Sequence, residues 1–280
     1  LNPIYVEDSL KKFLEEDLGI LGDITSFPAP DKKIRAELLA KEDLVLCGKA
    51  FAEYIFKLLD RTVFFEWKFE EGDEVSEGAV LCEISGSAKA ILGGERTALN
   101  LLQRLSGIAT ETRKFVKVLE GTNIRILDTR KTTPGLRYFE KYAVRVGGGI
   151  NHRMGLYDMI LIKDNHIKVF GSLKEAILRI TAEKPAYAPV EVEVENWKEL
   201  EEVVSICELV DAVMFDNWKV EELEKGVNFL KSRCPKVIVE VSGGITLEKL
   251  EKIKHLPVDF VSSGSIITKA TWKDISLEVK

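Results

Sequence analysis

Seven cationic side chains, Arg125, Arg130, Lys131, Arg137, Lys141, Arg145 and Arg153, fall in one stretch that holds only two acids, Asp128 and Glu140. The whole chain carries a net charge of -6, so the reversal is local. A cationic patch in an acidic protein focuses a small anionic ligand and does not fit a nucleic-acid surface. Arginine suits that task because its planar guanidinium meets a carboxylate in a fork of two parallel hydrogen bonds. Part of the stretch, Lys141 included, reads equally well as the solvated face of a helix.

Two glycine turns stand late in the chain, Ser242-Gly243-Gly244 and Ser263-Gly264-Ser265. Glycine lets backbone N–H groups approach an anion, so a phosphate is expected there, although tight turns alone would use the same residues. Glu191, Glu193 and Glu195 alternate along one run and share a face, and Asp216 closes the next run. Acids facing a barrel interior need a cation or hydroxyl groups. Mg2+ with a ribose would supply both, because Mg2+ takes a few carboxylates together with substrate phosphates. Spacing leaves open which of the three glutamates takes part. Lys163, at the end of an apolar run, could alternatively form a Schiff base.

The elements that must position these groups differ between the two halves of the chain. Val6, Leu10, Phe13, Leu14 and Leu18 predict an amphipathic helix over 5–18 that stops at Gly19. Strand-like runs follow at 34–39 and 62–69, flanking a helix over 50–59. From about residue 101 short apolar runs, at 124–128, 159–164, 190–195, 213–217, 237–243 and 260–264, alternate with helices at 173–181, 197–209, 220–230 and 247–253. Repeated βα units predict a parallel sheet, and their polar ends place a site where an α/β barrel builds one. Six clear runs suit an incomplete barrel. The expected organisation is an α/β sandwich domain over 1–100 and a barrel over 101–267. The tail 268–280 is expected to return to the first domain as a strand.

Composition, with 45% hydrophobic and 31% charged residues, is that of a folded globular chain. No run approaches the ~20 apolar residues of a membrane span, and residues 1–8 lack the pattern of a signal peptide, so a cytoplasmic protein is expected. Cys47, Cys82, Cys207 and Cys234 are scattered singly and read as buried free thiols. The segment Gly72-Asp73-Glu74-Val75 with Gly78 and Leu81 is similar to the hairpin of biotinyl and lipoyl carrier domains. The lysine context of those carriers is missing, so shared geometry is expected and not shared function.

The stretch Asp128-Thr129-Arg130-Lys131-Thr132-Thr133-Pro134-Gly135-Leu136-Arg137, followed by Gly147-Gly148-Gly149-Ile150-Asn151-His152-Arg153-Met154-Gly155 and Lys163-Asp164-Asn165-His166, closely resembles the quinolinate phosphoribosyltransferase family. The likeness extends to Glu16-Asp17-Leu18-Gly19, Gly22-Asp23-Ile24-Thr25, Glu95 to Asn100 and Leu105 to Thr110, in the family's order over nearly the whole chain.

The resemblance implies an enzyme of NAD biosynthesis that joins quinolinate to phosphoribosyl pyrophosphate and releases CO2. It implies that Arg130, His152, Arg153 and Lys163 line the dicarboxylate pocket beside Thr129, with Lys131 shared between the substrates. Glu193 and Asp216 would hold the ribose hydroxyls and Mg2+, partly through water. Ser242, Gly243, Gly244, Ser263, Gly264 and Ser265 would hold the 5-phosphate. It also implies a head-to-tail homodimer in which Arg96 enters the neighbour's site, with a hexamer of such dimers left open. Lys131, Lys163, Glu193 and Asp216 would be the catalytic groups. Two other enzyme readings stay in view, a relative acting on nicotinate or nicotinamide without decarboxylation and a Schiff-base aldolase or isomerase.

Overall fold

The computed structural model describes residues 3–30 and 32–280. Leu1 and Asn2, the start of the stretch read for a signal peptide, lie outside the described residues. The chain forms two compact units, one of Leu1–Arg113, Thr133–Gly148 and Lys269–Lys280, the other of Lys114–Thr132 and Gly149–Thr268. The boundary expected near residue 100 falls inside a continuous helix, Ala88–Val118. The first unit also takes a mid-chain segment that the expected division gave to the barrel. Among the described residues no helix is long and apolar enough to cross a membrane.

In the first unit α1 (Pro3–Leu18) buries Leu10 and Leu14, and Gly19 follows it with a left-handed φ of 54°. β1 (Lys33–Ala40), β2 (Leu44–Val45), α2 (Lys49–Leu59), β3 (Phe64–Trp67), β4 (Glu74–Val75), β5 (Val80–Ser87) and α3 (Ala88–Val118) come next. An antiparallel sheet in the order β12-β1-β5-β3 is completed by the final strand, β12 (Ile275–Val279). The segment likened to a carrier hairpin is split, because β4 pairs with β2 while β5 joins the larger sheet. α4 (Arg137–Val146) belongs to this unit and buries Phe139, Glu140, Lys141, Ala143 and Val144. Lys141 is only 1% exposed, so the solvated face expected for it is wrong.

The second unit is built on β6 (Arg125–Leu127), β7 (Ile160–Ile162), β8 (Val190–Val194), β9 (Ala212–Asp216), β10 (Ile238–Ser242) and β11 (Phe260–Ser262). All six run parallel in the order β6-β11-β10-β9-β8-β7. Between them lie α5 (Asp164–Phe170), α6 (Leu173–Glu183), α7 (Trp197–Val204), α8 (Val220–Arg233) and α9 (Leu247–Ile253), and α10 (Ser265–Thr268) follows β11. The barrel is incomplete. Its edge strands β6 and β7 do not pair with each other, and Ile150 instead bridges to Leu127 beside β6.

Side-chain caps fix where several loops end and helices begin. Ser172, Asn196 and Thr246 each accept a hydrogen bond from the N–H three residues on, at the starts of α6, α7 and α9. β8 is buried at every position, as a parallel strand covered on both faces should be. The register sets Glu193 beside Met214, Met214 beside Glu240 and Asp216 beside Ser242, so these groups share one face of the sheet.

Cys207 and Cys234 form a disulfide, which corrects the expectation of four free thiols; Cys47 and Cys82 are free and buried. The pair is 27 residues apart, one in a short 3-10 turn after α7 and the other capping α8. Only the packing of these elements brings the two together, and no local spacing signals it.

Candidate active site

Polar groups gather at the C-terminal ends of the second unit's strands. After β6 the fully buried Asp128 accepts hydrogen bonds from Asn151 Nδ2 at 2.5 Å and from the His152 N–H at 2.9 Å. It thereby anchors the loop that carries His152 and Arg153. Thr129 Oγ1 accepts the Lys131 N–H at 3.0 Å and shapes the other side of the turn.

The His152 ring is held through both nitrogens. Nδ1 accepts the Arg153 N–H at 2.8 Å, so the ring proton sits on Nε2, which donates to Glu191 Oε2 at 2.9 Å. Arg153 Nη1 donates to the Met159 carbonyl at 3.0 Å. Burial, and then the Arg130 guanidinium nearby, hold Arg153 below its ordinary pKa. Two guanidinium groups crowded in this way favour an anion between them.

Across the cleft Lys163, the N-cap residue of α5, pairs with Glu193 Oε2 at 2.8 Å. Burial pushes the Glu193 carboxyl above the usual range, and the Lys163 ammonium pulls it back. The carboxylate oxygens of Glu193, Glu195 and Asp216 lie within 4.8 Å of one another. Glu195 stands just past the end of β8 and is exposed, whereas Glu191 turns to His152. The glutamate nearest the cleft's cations is Glu193.

Asp216 Oδ2 accepts a hydrogen bond from Asn217 Nδ2 at 2.6 Å, and Asn217 has a left-handed φ of 58°. Asn217 packs against Gly243, where an added Cβ would come within 2.4 Å of its backbone nitrogen. Gly243 and Gly244, at φ 81° and 59°, turn the chain after β10. On the neighbouring loop Ser263 Oγ and Ser265 Oγ are 2.7 Å apart, and Gly264 leaves room for the Lys131 stem.

A cleft of about 300 Å³ joins Thr129, Arg130, Lys131, His152, Arg153, Lys163, Glu193, Asp216 and Ser242. Nine expected site residues therefore meet in one place. Gly243, Gly244, Ser263, Gly264 and Ser265 lie on the loops beyond the ends of β10 and β11. Arg96 does not line this cleft. It is exposed on α3 and lines a separate cavity of about 430 Å³ within the first unit.

Leu161, Met214 and Ser262 also line the cleft and were not expected from the sequence. Asn217, Lys249 and Glu240 were missed as well. Lys249 Nζ donates to the Gly243 carbonyl at 2.7 Å, and burial lowers its pKa while Asp216 raises it. Glu240 is a single acid inside the apolar run Val237 to Val241, a visible irregularity in the sequence.

The family model of the quinolinate phosphoribosyl transferase C-terminal domain matches residues 108–278, and that of its N-terminal domain matches residues 23–106. The chain is 42% identical to the probable nicotinate-nucleotide pyrophosphorylase [carboxylating] of Bacillus subtilis, over 100% of this chain and 95% of that protein. It is 37% identical to quinolinate phosphoribosyltransferase [decarboxylating] 1b of Nicotiana tabacum, over 95% and 80% of the two chains. The solved nicotinate-nucleotide pyrophosphorylase of Francisella tularensis superposes with a TM-score of 0.92 at 37% identity, covering 100% of this chain and 98% of that one. These likenesses span both units, and the chain belongs to the quinolinate phosphoribosyltransferase family.

Proposed function

We propose that the chain transfers the phosphoribosyl group of phosphoribosyl pyrophosphate to quinolinate with loss of CO2, giving nicotinate mononucleotide and pyrophosphate. The observation that carries the reading is the cation cluster. Among the described residues the side chains of Arg130 and Lys131 have no protein partner, and Arg153 spends one nitrogen on a carbonyl. A ring with two carboxylates gives each guanidinium a bidentate partner, whereas a monoacid leaves one of them without a match.

In this reading Arg130 and Arg153 fix the two carboxylates and His152 forms part of the floor beneath the ring. Glu193 and Asp216 hold the ribose hydroxyls. The backbone at Gly243, Gly244 and Gly264, with Ser242, Ser263 and Ser265, holds the 5-phosphate. The ring nitrogen displaces pyrophosphate from C1 of the ribose. Lys131 and Lys163 face the leaving charge, and the acids favour the positive charge that develops on the sugar. The ribosylated ring nitrogen is then cationic, so the adjacent carboxylate departs as CO2 with its electron pair held at C2 beside that charge, and C2 then takes up a proton to give the product. The protein's part in that step is to position the ring and exclude water.

Mg2+ fits the acidic side, where Glu193, Glu195 and Asp216 offer clustered hard oxygen ligands. Bound there with substrate phosphates, it would neutralise charge on the leaving pyrophosphate. The reading also includes a homodimer in which the partner's Arg96 completes the carboxylate site. Titration calorimetry with quinolinate and with nicotinate, followed by detection of labelled CO2, tests the function. Strong quinolinate binding and CO2 release are expected. Preference for nicotinate, or turnover without CO2, would overturn it.

A further inference from the structure

Two glutamates lie buried behind the cleft and have no part in the chemistry above. Glu191 on β8 and Glu240 on β10 are each 2% exposed, on the face of the sheet opposite Val190, Val192, Val239 and Val241. Their carboxylates and the His152 ring lie within 4.8 Å of one another, and Glu240 Oε2 is 3.5 Å from His152 Nε2. Among the described residues Glu240 Oε1 has no hydrogen-bond partner. Retaining two acids in a buried site is costly unless they are hydrogen-bonded and serve a fixed geometry.

We propose that Glu240 is a positioning residue of the carboxylate pocket: with Glu191 it clamps the His152 ring, which fixes the backbone that presents Arg153 to the ligand. The chain of contacts is continuous. Glu191 accepts from His152 Nε2, and His152 Nδ1 accepts the Arg153 N–H. Each imidazole nitrogen is thus engaged by the protein, so the ring acts as a strut. Burial, and then the Glu191 charge, raise Glu240 well above the usual carboxylate range, which supports a protonated Glu240 able to donate to Glu191.

The inference rests on the proposed quinolinate reaction and is tested on the whole enzyme. Glu240→Met keeps the volume but removes the donor. The KM for quinolinate should rise about tenfold or more, with the KM for phosphoribosyl pyrophosphate changed much less. Glu240→Gln restores a donor, and most of the quinolinate affinity should return. If the Met variant fails to fold, the Gln variant still decides, because a KM raised by about tenfold in it would show that a donor alone is not the requirement. Equal changes in both KM values would reduce Glu240 to a structural role and sink the proposal. A stoichiometric metal in the purified protein that vanishes in Glu240→Gln would overturn it too. Absence of quinolinate turnover in the wild type would instead fail the functional reading.

Discussion

Each unit holds arginine beside acid in a cavity, and the two do opposite things with the charge. In the first unit Arg104 Nη2 and Nε reach Glu140 Oε1 at 2.7 and 3.0 Å, and the Thr133 N–H and hydroxyl complete the carboxylate at 2.8 Å each. Glu140 is fully buried and its charge is met inside the protein. In the second unit the Arg130 and Lys131 side chains have no partner among the described residues, and Arg153 is destabilised by burial and by Arg130. A closed pair holds structure, and open cations await a ligand.

The sharpest way to break this contrast is Arg104→Ala, which strands Glu140 in the interior. Removing one partner of a buried pair costs about 3–5 kcal/mol. Urea unfolding should show that loss. A variant of wild-type stability that no longer binds quinolinate would reverse the roles of the two arginines.

Arg130→Ala should do the opposite, leaving stability nearly intact while quinolinate binding weakens. A hydrogen bond to a charged group is worth about 1.5–3 kcal/mol, so roughly ten- to a hundredfold is expected in a calorimetric titration. Binding of phosphoribosyl pyrophosphate should change little. Unchanged quinolinate affinity in the folded variant would take Arg130 out of the pocket.

Arg96 extends the contrast to the proposed dimer. An Arg96→Ala chain would keep its own cleft and spoil its partner's, whereas Arg130→Ala spoils only its own. Mixing the two inactive proteins through dissociation and reassociation should restore up to about a quarter of wild-type activity, since roughly half the dimers are mixed and each has one intact site of two. No recovery, with heterodimers shown to form, would place Arg96 within its own chain's chemistry.

The smallest effect concerns pH. The folded pKa of Glu240 is raised above the ordinary 4.5, so its contribution to stability is complete below that value and is lost as pH rises through the raised one. Glu191 from β8, His152 from the loop before β7, Lys163 at the end of β7 and Ser262 from β11 surround it. Glu240→Gln cannot lose a proton there. Its Tm relative to wild type should therefore climb as pH rises above the ordinary carboxylate range. A constant difference would mean that Glu240 does not titrate on unfolding.

Local patterns carried much of this molecule. The six apolar runs of the second half coincide with β6 to β11, because parallel strands buried on both faces must be apolar and must end in polar loops. Lys163, Glu193, Asp216 and Ser242 could be named for the same reason, as they sit at those ends, whereas Thr129, Arg130, Lys131, His152 and Arg153 owe their place in the site to the family resemblance. What stayed hidden depends on packing between distant segments. Lys141 looks solvated in a helical pattern yet is buried, and Glu240 looks incidental until β8 and β10 bring it to Glu191. The Cys207–Cys234 bond likewise needs two elements in place before it can be seen.

The pairing of β12 with β1 also sets an order of events during synthesis. Leu38 on β1 lies opposite Leu277 on β12, so the first sheet stays unfinished until the ribosome has passed residue 279. Contacts of such long sequence separation form slowly, and an unpaired β1 edge is exposed in the meantime. Premature termination before β12 would thus injure a sheet whose other strands were made long before it.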